Sequence, residues 1–257
     1  MTEVLGKVHF LQRMQQLIIV NLLLQWQLEI LLGDISGVAP DADLVLSSIP
    51  NFEGTYSTDD FARDLNSARA LGAVASNNSW VLADNTNGNA NANRNVTEME
   101  ALIASLPSLT TDQVFGFVAN GDASVPDEQT TAWTDYVTAM DNFQNSGIMI
   151  WANGNYNEES DASVLGGLPE FYPQLAEAWI TVNLSDFTGT SLSSAKESDF
   201  TLVGNKCGSA KKYCLTADGF DLKGASWVNT GISQYTTGSG SSYSAPMIAG
   251  GLSLIHI

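Results

Sequence analysis

Positive charge is scarce in this chain. Ten Lys and Arg stand against 28 Asp and Glu, a formal net charge of −18 over 257 residues. A face that grips nucleic acid must neutralise phosphates with Lys and Arg, so nucleic acid is excluded as an expected partner. The acidity suits a soluble protein in a saline or extracellular setting. Histidine is scarcer still: only His9 and His256 occur. Cysteine is limited to Cys207 and Cys214, with six residues between them. That spacing is too wide for a C-x-x-C redox motif, and no nearby histidine completes a zinc site. A short-range disulfide or two unrelated buried thiols remain. Long hydrophobic runs are missing too. The apolar residues 17–24 are interrupted by Asn21 and are too few to span a membrane.

Hydrophobic residues make up 44% of the chain and charged residues 15%, which excludes a disordered polymer. The length is enough for one large core. Residues 1–32 differ from the rest. Gln, Leu and Ile dominate residues 15–32, whereas Asp, Asn, Gly, Ser and Ala dominate from Gly33 onward. Residues 17–24 read as the core of an export leader or as an ordinary amphipathic helix, but no small-residue cleavage site follows. The abrupt change at Gly33 also fits a disturbed reading frame. Residues 1–32 are therefore expected to be a non-matching segment, not native to the domain.

Further on, residues 37–46 read as a turn and a short apolar strand. Thr58 with Asp59 and Asp60 opens a helix carrying Phe61, Leu65, Ala68 and Leu71 or Gly72 on one face. Residues 73–76 read as a strand. Residues 83–95 form a polar, Asn-rich loop; its oxygens suggest calcium, but the EF-hand spacing is absent and no cofactor is expected. Thr97 is a candidate helix cap, and residues 114–119 read as a strand. Ala132, Trp133, Tyr136, Val137, Met140 and Phe143 form a helical stripe ending at Asn145-Ser146-Gly147, expected to be core.

Two stretches carry chemistry. Ile148-Met149-Ile150-Trp151-Ala152-Asn153-Gly154-Asn155 is a buried strand ending in a Gly turn with an amide side chain. With the preceding helix it suggests a parallel α/β sheet. Gly238 to Ser242 are small or hydroxylated, and an apolar stretch from Ala245 to Gly250 follows, interrupted by Pro246. A Gly/Ser turn entering a small-residue helix permits close ligand approach. It also leaves unpaired N–H groups and a positive dipole end beside the first hydroxyls. A serine there is a nucleophile if a base reaches it. Taken singly, the first string is also a turn-forming Asn and the second a Ser-capped helix.

Gly240-Ser241-Ser242-Tyr243-Ser244-Ala245-Pro246-Met247-Ile248-Ala249-Gly250 resembles the nucleophile segment of the subtilisin-like serine proteases, G-T-S-x-[SA]-x-P-x-[VI]-[AS]-G. Ser241 replaces the usual Thr. It is not the G-x-S-x-G elbow, because Ser244 stands at the second Gly. The resemblance implies that Ser242 is the nucleophile of peptide-bond hydrolysis through an acyl-enzyme. Residues 148–155 resemble the V-x-A-A-G-N strand of that family, with Asn153 in place of a small residue. On that match Asn155 donates its amide to the oxyanion. Gly37-Val38-Ala39-Pro40-Asp41-Ala42-Asp43-Leu44 resembles the G-V-A-P-x-A-x-L strand. Asn77-Asn78-Ser79-Trp80 resembles N-x-S-W/L-G, with Val81 in place of Gly. The resemblance assigns Asn78, Ser79, Trp80 and Gly154 to substrate binding. Pro169–Pro173 and residues 179–183 resemble the P-E-x-x-x-V-x-V segment. Residues 207–219 resemble the C-G-x-A-x-x-x-C-[IL]-x-A-x-G stretch of exported autotransporter-type members. That implies a Cys207–Cys214 disulfide and a secreted or cell-surface bacterial protein.

The implied fold is α/β and three-layered, a mainly parallel central sheet with helices on both faces, incomplete at both ends. The resemblance covers residues 37–251, and residues 33–251 are expected to form a partial peptidase domain. Residues 252–257 match one frame of a common sequencing adapter and are expected to be an artefactual tail, His256 included. The family's D-[ST]-G and H-G-T motifs are absent. His9 lies in Val-His-Phe, and Asp34 in Asp-Ile-Ser-Gly is one residue too long. The expected partner is a peptide or protein substrate, but the chain as written is expected to be inactive or nearly so. The alternative is a non-catalytic extracellular binding domain that kept the fold.

Overall fold

The computed structural model describes residues 17–21, 38–39, 42–47, 58–80, 82, 94–120, 126–157, 159–226 and 234–255. In chain order the elements are β1 (Leu17–Asn21), β2 (Asp43–Ser47), α1 (Thr58–Ala70), β3 (Ala73–Asn78), α2 (Val96–Ser105), α3 (Thr111–Asn120) and α4 (Pro126–Gln144). There follow β4 (Ile148–Ala152), β5 (Trp179–Phe187), β6 (Phe200–Leu202), β7 (Cys214–Asp218), β8 (Leu222–Ser226), β9 (Gln234–Gly238) and α5 (Ser241–Ile255). The main sheet runs β2-β1-β3-β4-β5 in parallel. β7 joins β5 in parallel and β6 joins it antiparallel. β8 and β9 form a separate antiparallel pair. This is the mainly parallel α/β architecture expected from the sequence.

β4 shows why the sheet is covered on both faces. Its residues Ile148-Met149-Ile150-Trp151-Ala152 are all apolar, as a strand buried on two sides requires. Met149 and Trp151 join a large core with Leu65 of α1, Phe115 of α3 and Trp133, Met140 and Phe143 of α4. Ile150 and Ala152 point the other way, onto Ala245 and Ala249 of α5. Small side chains on α5 bring that helix close to the sheet. The stripe on α4 is buried throughout, from Ala132 to Phe143.

Four local expectations are corrected. Residues 114–119 are helical, not a strand. Thr110 and Gln113 cap α3 reciprocally: the Thr110 N–H donates to Gln113 Oε1 at 2.9 Å and the Gln113 N–H to Thr110 Oγ1 at 3.3 Å. The β-branched and aromatic residues that suggested a strand instead form one face, with Val114, Phe115 and Val118 buried. Gly116 admits α4 closely, since a Cβ there would lie 2.9 Å from the Gln129 backbone. Second, α2 is capped by Asn95 in a capping box with Glu98, not by Thr97, whose hydroxyl donates to Asp161 at 2.7 Å. Third, Leu17–Asn21 is neither leader core nor helix. It is a strand between β2 and β3, with Ile19 opposite both Val45 and Ser76. Fourth, Leu71, assigned to the apolar face of α1, is 63% exposed; Gly72, beside it, takes a positive φ of 87° and ends that helix. His9, Asp34, His256 and loop residues 83–93 lie outside the described residues.

A disulfide joins Cys207 to Cys214 across a 3-10 turn, Gly208–Tyr213. Buried Asp161 anchors the same turn, accepting from the Ser209 N–H at 2.7 Å and hydroxyl at 3.0 Å. Burial works to raise the Asp161 pKa. The Ser209 N–H, the Thr97 hydroxyl, the Ala162 N–H and the Ser209 hydroxyl outweigh it and hold the carboxyl below its ordinary value. A depressed carboxylate stabilises the fold above its unfolded pKa, and that contribution disappears as pH falls through the folded one. Replacing both cysteines by serine is expected to cost about 2–3 kcal/mol, the chain-entropy value for so short a loop. Denaturant titration of the variant against the parent measures it.

Candidate active site

Strands running the same way put their carboxyl ends on one edge of the sheet, and crevices form there. Asn78 of β3 lies in register with Trp151 of β4. Residues 78–80 therefore leave the sheet beside residues 152–155. α5 packs over the same strands and begins at this edge.

The turn after β4 is built around Gly154. Its φ of 112° lies outside the range that side chains tolerate, and a Cβ there would meet Asn205 Oδ1 at 2.6 Å. Asn153 is fully buried. Its Nδ2 donates to Asn183 Oδ1 at 2.6 Å and to the carbonyls of Asn205 and Lys206, and its Oδ1 accepts from the Ser163 N–H. An amide thus replaces packing where the family string has a small residue. Asn155, next along, is exposed.

Asn155 meets the start of α5. Its Oδ1 accepts from the Ser241 N–H at 2.7 Å and from the Ser241 hydroxyl at 3.0 Å. A backbone N–H only donates, so the carboxamide must present its oxygen to Ser241. Among the described residues no hydrogen bond engages Nδ2. The Ser241 hydroxyl in turn accepts from the Gly154 N–H at 3.0 Å. Ser241 is buried, whereas Ser242 is half-buried. Adjacent serines thus differ: Ser241 bonds the amide, while Ser242 stays half-buried.

Pro246 has a local consequence. It lies four residues after Ser242 and has no N–H, so the Ser242 carbonyl loses its helical partner. Ser79 fills the gap: its hydroxyl donates to the Ser242 carbonyl at 3.4 Å and accepts from Asn77 Nδ2 at 3.3 Å. The segment after β3 is thereby tied to the serine-bearing helix. Trp80 faces the core. Its ring stacks on Phe61 at 4.4 Å and meets Trp151 edge-on at 5.1 Å. Asn78 is buried, its Nδ2 bonded to the Ser76 carbonyl and hydroxyl and to the Ile150 carbonyl. Cys207 and Cys214 lie on the neighbouring turn, and Asn183 Nδ2 donates to Cys207 Sγ.

The Ser242 hydroxyl has no hydrogen-bond partner among the described residues, which include no histidine. Burial raises the pKa of adjacent Tyr243, so its phenol stays protonated and is no base at neutral pH.

The sequence profile of the Subtilase family matches residues 20–256. The chain belongs to the subtilase family. Solved structures agree on the fold. Prenylagaramide maturation protease PagA is 17% identical with a TM-score of 0.53, over 94% of this chain and 68% of that one. A mutant of the protease domain of PatA is 17% identical with a TM-score of 0.54, over 94% and 71%. Sphericase is 17% identical with a TM-score of 0.50, over 86% and 56%. No curated protein matches the sequence. Family membership makes this subtilase a serine peptidase by descent, with peptides as the implied substrate class. Among the described residues no helix is long and apolar enough to cross a membrane.

Sequence reasoning missed two features of the subtilase site. The Ser79 link to Ser242 was readable from Pro246 alone, as a carbonyl in need of a donor. The engagement of residues 154 and 156 by Asn205 left no signal in the sequence.

Proposed function

We propose that this subtilase domain cleaves peptide bonds with Ser242 as nucleophile and Asn155 Nδ2 as oxyanion donor. Ser242 Oγ attacks the scissile carbonyl and its proton passes to a base. The amine leaves with a proton, and water releases the acyl group from Ser242. The extended segment at Asn78, Ser79 and Gly154 offers backbone groups to the peptide. The observation that carries this reading is the pair of bonds from Ser241 to Asn155 Oδ1, one residue before Ser242. They orient the carboxamide so that its N–H groups are available where charge develops. The disulfide and the acidic surface support an extracellular setting.

Among the described residues no base stands beside Ser242. Neither histidine stands in H-G-T and no Asp in D-[ST]-G, so Ser242 is an ordinary alcohol at neutral pH. The expected result is slow phosphonylation by a fluorophosphonate probe, accelerated by millimolar imidazole and absent in Ser242→Ala. Imidazole takes the Oγ proton, oxygen bonds to phosphorus, and fluoride leaves. Rapid Ser242-dependent labelling without imidazole would overturn the claim of a missing base. No Ser242-dependent labelling with imidazole would favour the non-catalytic binding domain, which the absent motifs also suit.

A further inference from the structure

Every polar group of Asn205 is spent on the segment that carries Asn155. Its N–H donates to the Gly154 carbonyl at 3.3 Å, and its carbonyl accepts from Asn153 Nδ2 at 3.2 Å. Its Oδ1 accepts from the Tyr156 N–H at 3.0 Å, and its Nδ2 reaches the Asp161 carbonyl at 3.5 Å. Asn205 is 4% exposed. It therefore bonds to the residue on each side of Asn155 while leaving Asn155 itself free. The fit is tight: Oδ1 occupies the space a side chain on Gly154 would need, and a Cβ on Gly204 would lie 2.5 Å from the Gly154 carbonyl. Two residues on, Cys207 closes its disulfide to β7, which is paired to β5. The loop bearing Asn205 is thus anchored to the sheet at its far end.

We infer that Asn205 is a positioning residue for the oxyanion site, holding the Gly154–Tyr156 turn so that the Asn155 amide keeps its direction; this rests on Asn155 being the oxyanion donor. An exposed side chain on a three-residue turn has little rigidity of its own. Its direction is set by the backbone on both sides, and Asn205 bonds to that backbone at Gly154 and Tyr156. A misplacement of about 1 Å is enough to cost a large part of a preorganised contact.

The test measures imidazole-assisted fluorophosphonate labelling of the full 257-residue chain, resolving the maximal rate from half-saturation. Asn205→Ala is expected to lower the maximal rate about tenfold or more, as for a lost buried hydrogen bond, with half-saturation little changed. Asn205→Asp keeps an acceptor for the Tyr156 N–H but loses the donor to the Asp161 carbonyl and buries a charge, so it is expected to recover only part of the rate lost in Asn205→Ala. In an Asn155→Ala background, Asn205→Ala is expected to cost nothing further, because it acts through Asn155. An equal loss in both backgrounds would reduce Asn205 to a structural role and overturn the inference. So would an unchanged rate in Asn205→Ala when Asn155→Ala is slow. If Asn155→Ala itself is not slow, the donor assignment is what fails. Amide exchange gives a second readout, independent of labelling. Asn205→Asp should keep the Tyr156 N–H protected, whereas Asn205→Ala should raise its exchange about tenfold or more, with β4 and β5 unaffected. Unchanged exchange in Asn205→Ala would overturn the inference even if the chain is never labelled.

Discussion

Asn155→Ala is expected to slow the imidazole-assisted phosphonylation of Ser242 by about 10²–10³-fold, the loss seen when one oxyanion donor is removed from a protease of this family. The size follows from where the N–H points. On the proposed role, a donor already aimed at the developing charge pays no reorganisation at the moment of reaction, and the two Ser241 bonds fix the carboxamide that carries it. Alanine also takes the acceptor away from Ser241, a buried residue, so some stability is lost with the rate. Asn155→Asp separates the two effects. The carboxylate still accepts from Ser241 but offers no N–H, and its charge repels the oxyanion. Labelling should be at least as slow as in Asn155→Ala, with a melting temperature closer to the parent's. A labelling rate in Asn155→Asp equal to the parent's would remove Asn155 from the chemistry.

Trp151→Ala is expected to destabilise the fold by about 3–5 kcal/mol, the cost of truncating a large buried aromatic. Trp151 is wholly buried. Its ring stacks on Trp179 with centroids 5.5 Å apart and planes 14° apart, while Trp80 meets it edge-on. Among the described residues its indole nitrogen has no hydrogen-bond partner, so the loss is packing and cavity. The melting temperature should fall by about 6–20 °C on the scaling for domains of this size. Trp80→Ala should cost less, because that ring is only half-buried. If the two variants lose the same stability, the cluster does not centre on Trp151. The consequence reaches the site directly, since β4 runs from Trp151 through Ala152 into Asn153-Gly154-Asn155.

The two expectations rest on different kinds of information. The β4 string declared its own burial, because no polar residue interrupts Ile148 to Ala152. α4 did so through its periodic stripe. α3 did not, because β-branched and aromatic residues suit a strand or a buried helix face equally well over a short run, and the Thr110–Gln113 cap was the better guide. β1 was harder still. Four apolar residues and Asn21 in a Gln- and Leu-rich stretch resemble a leader core until neighbouring strands on both sides satisfy their backbone.

By itself the sequence determined the Gly/Ser turn that enters a small-residue helix and the amide that follows a Gly turn. The nucleophile role of Ser242 and the Cys207–Cys214 pairing came from the resemblance those strings carry. Each turn depends on chain neighbours, whose spacing dictates local backbone geometry. Only the tertiary structure decided how these parts are aimed. Ser79 reaches the Ser242 carbonyl from 163 residues away, Ser241 reaches Asn155 from 86, and Asn205 holds Tyr156 from 49. A hydrogen bond between segments that distant depends on how the sheet brings strand ends together, and a linear spacing carries no record of that.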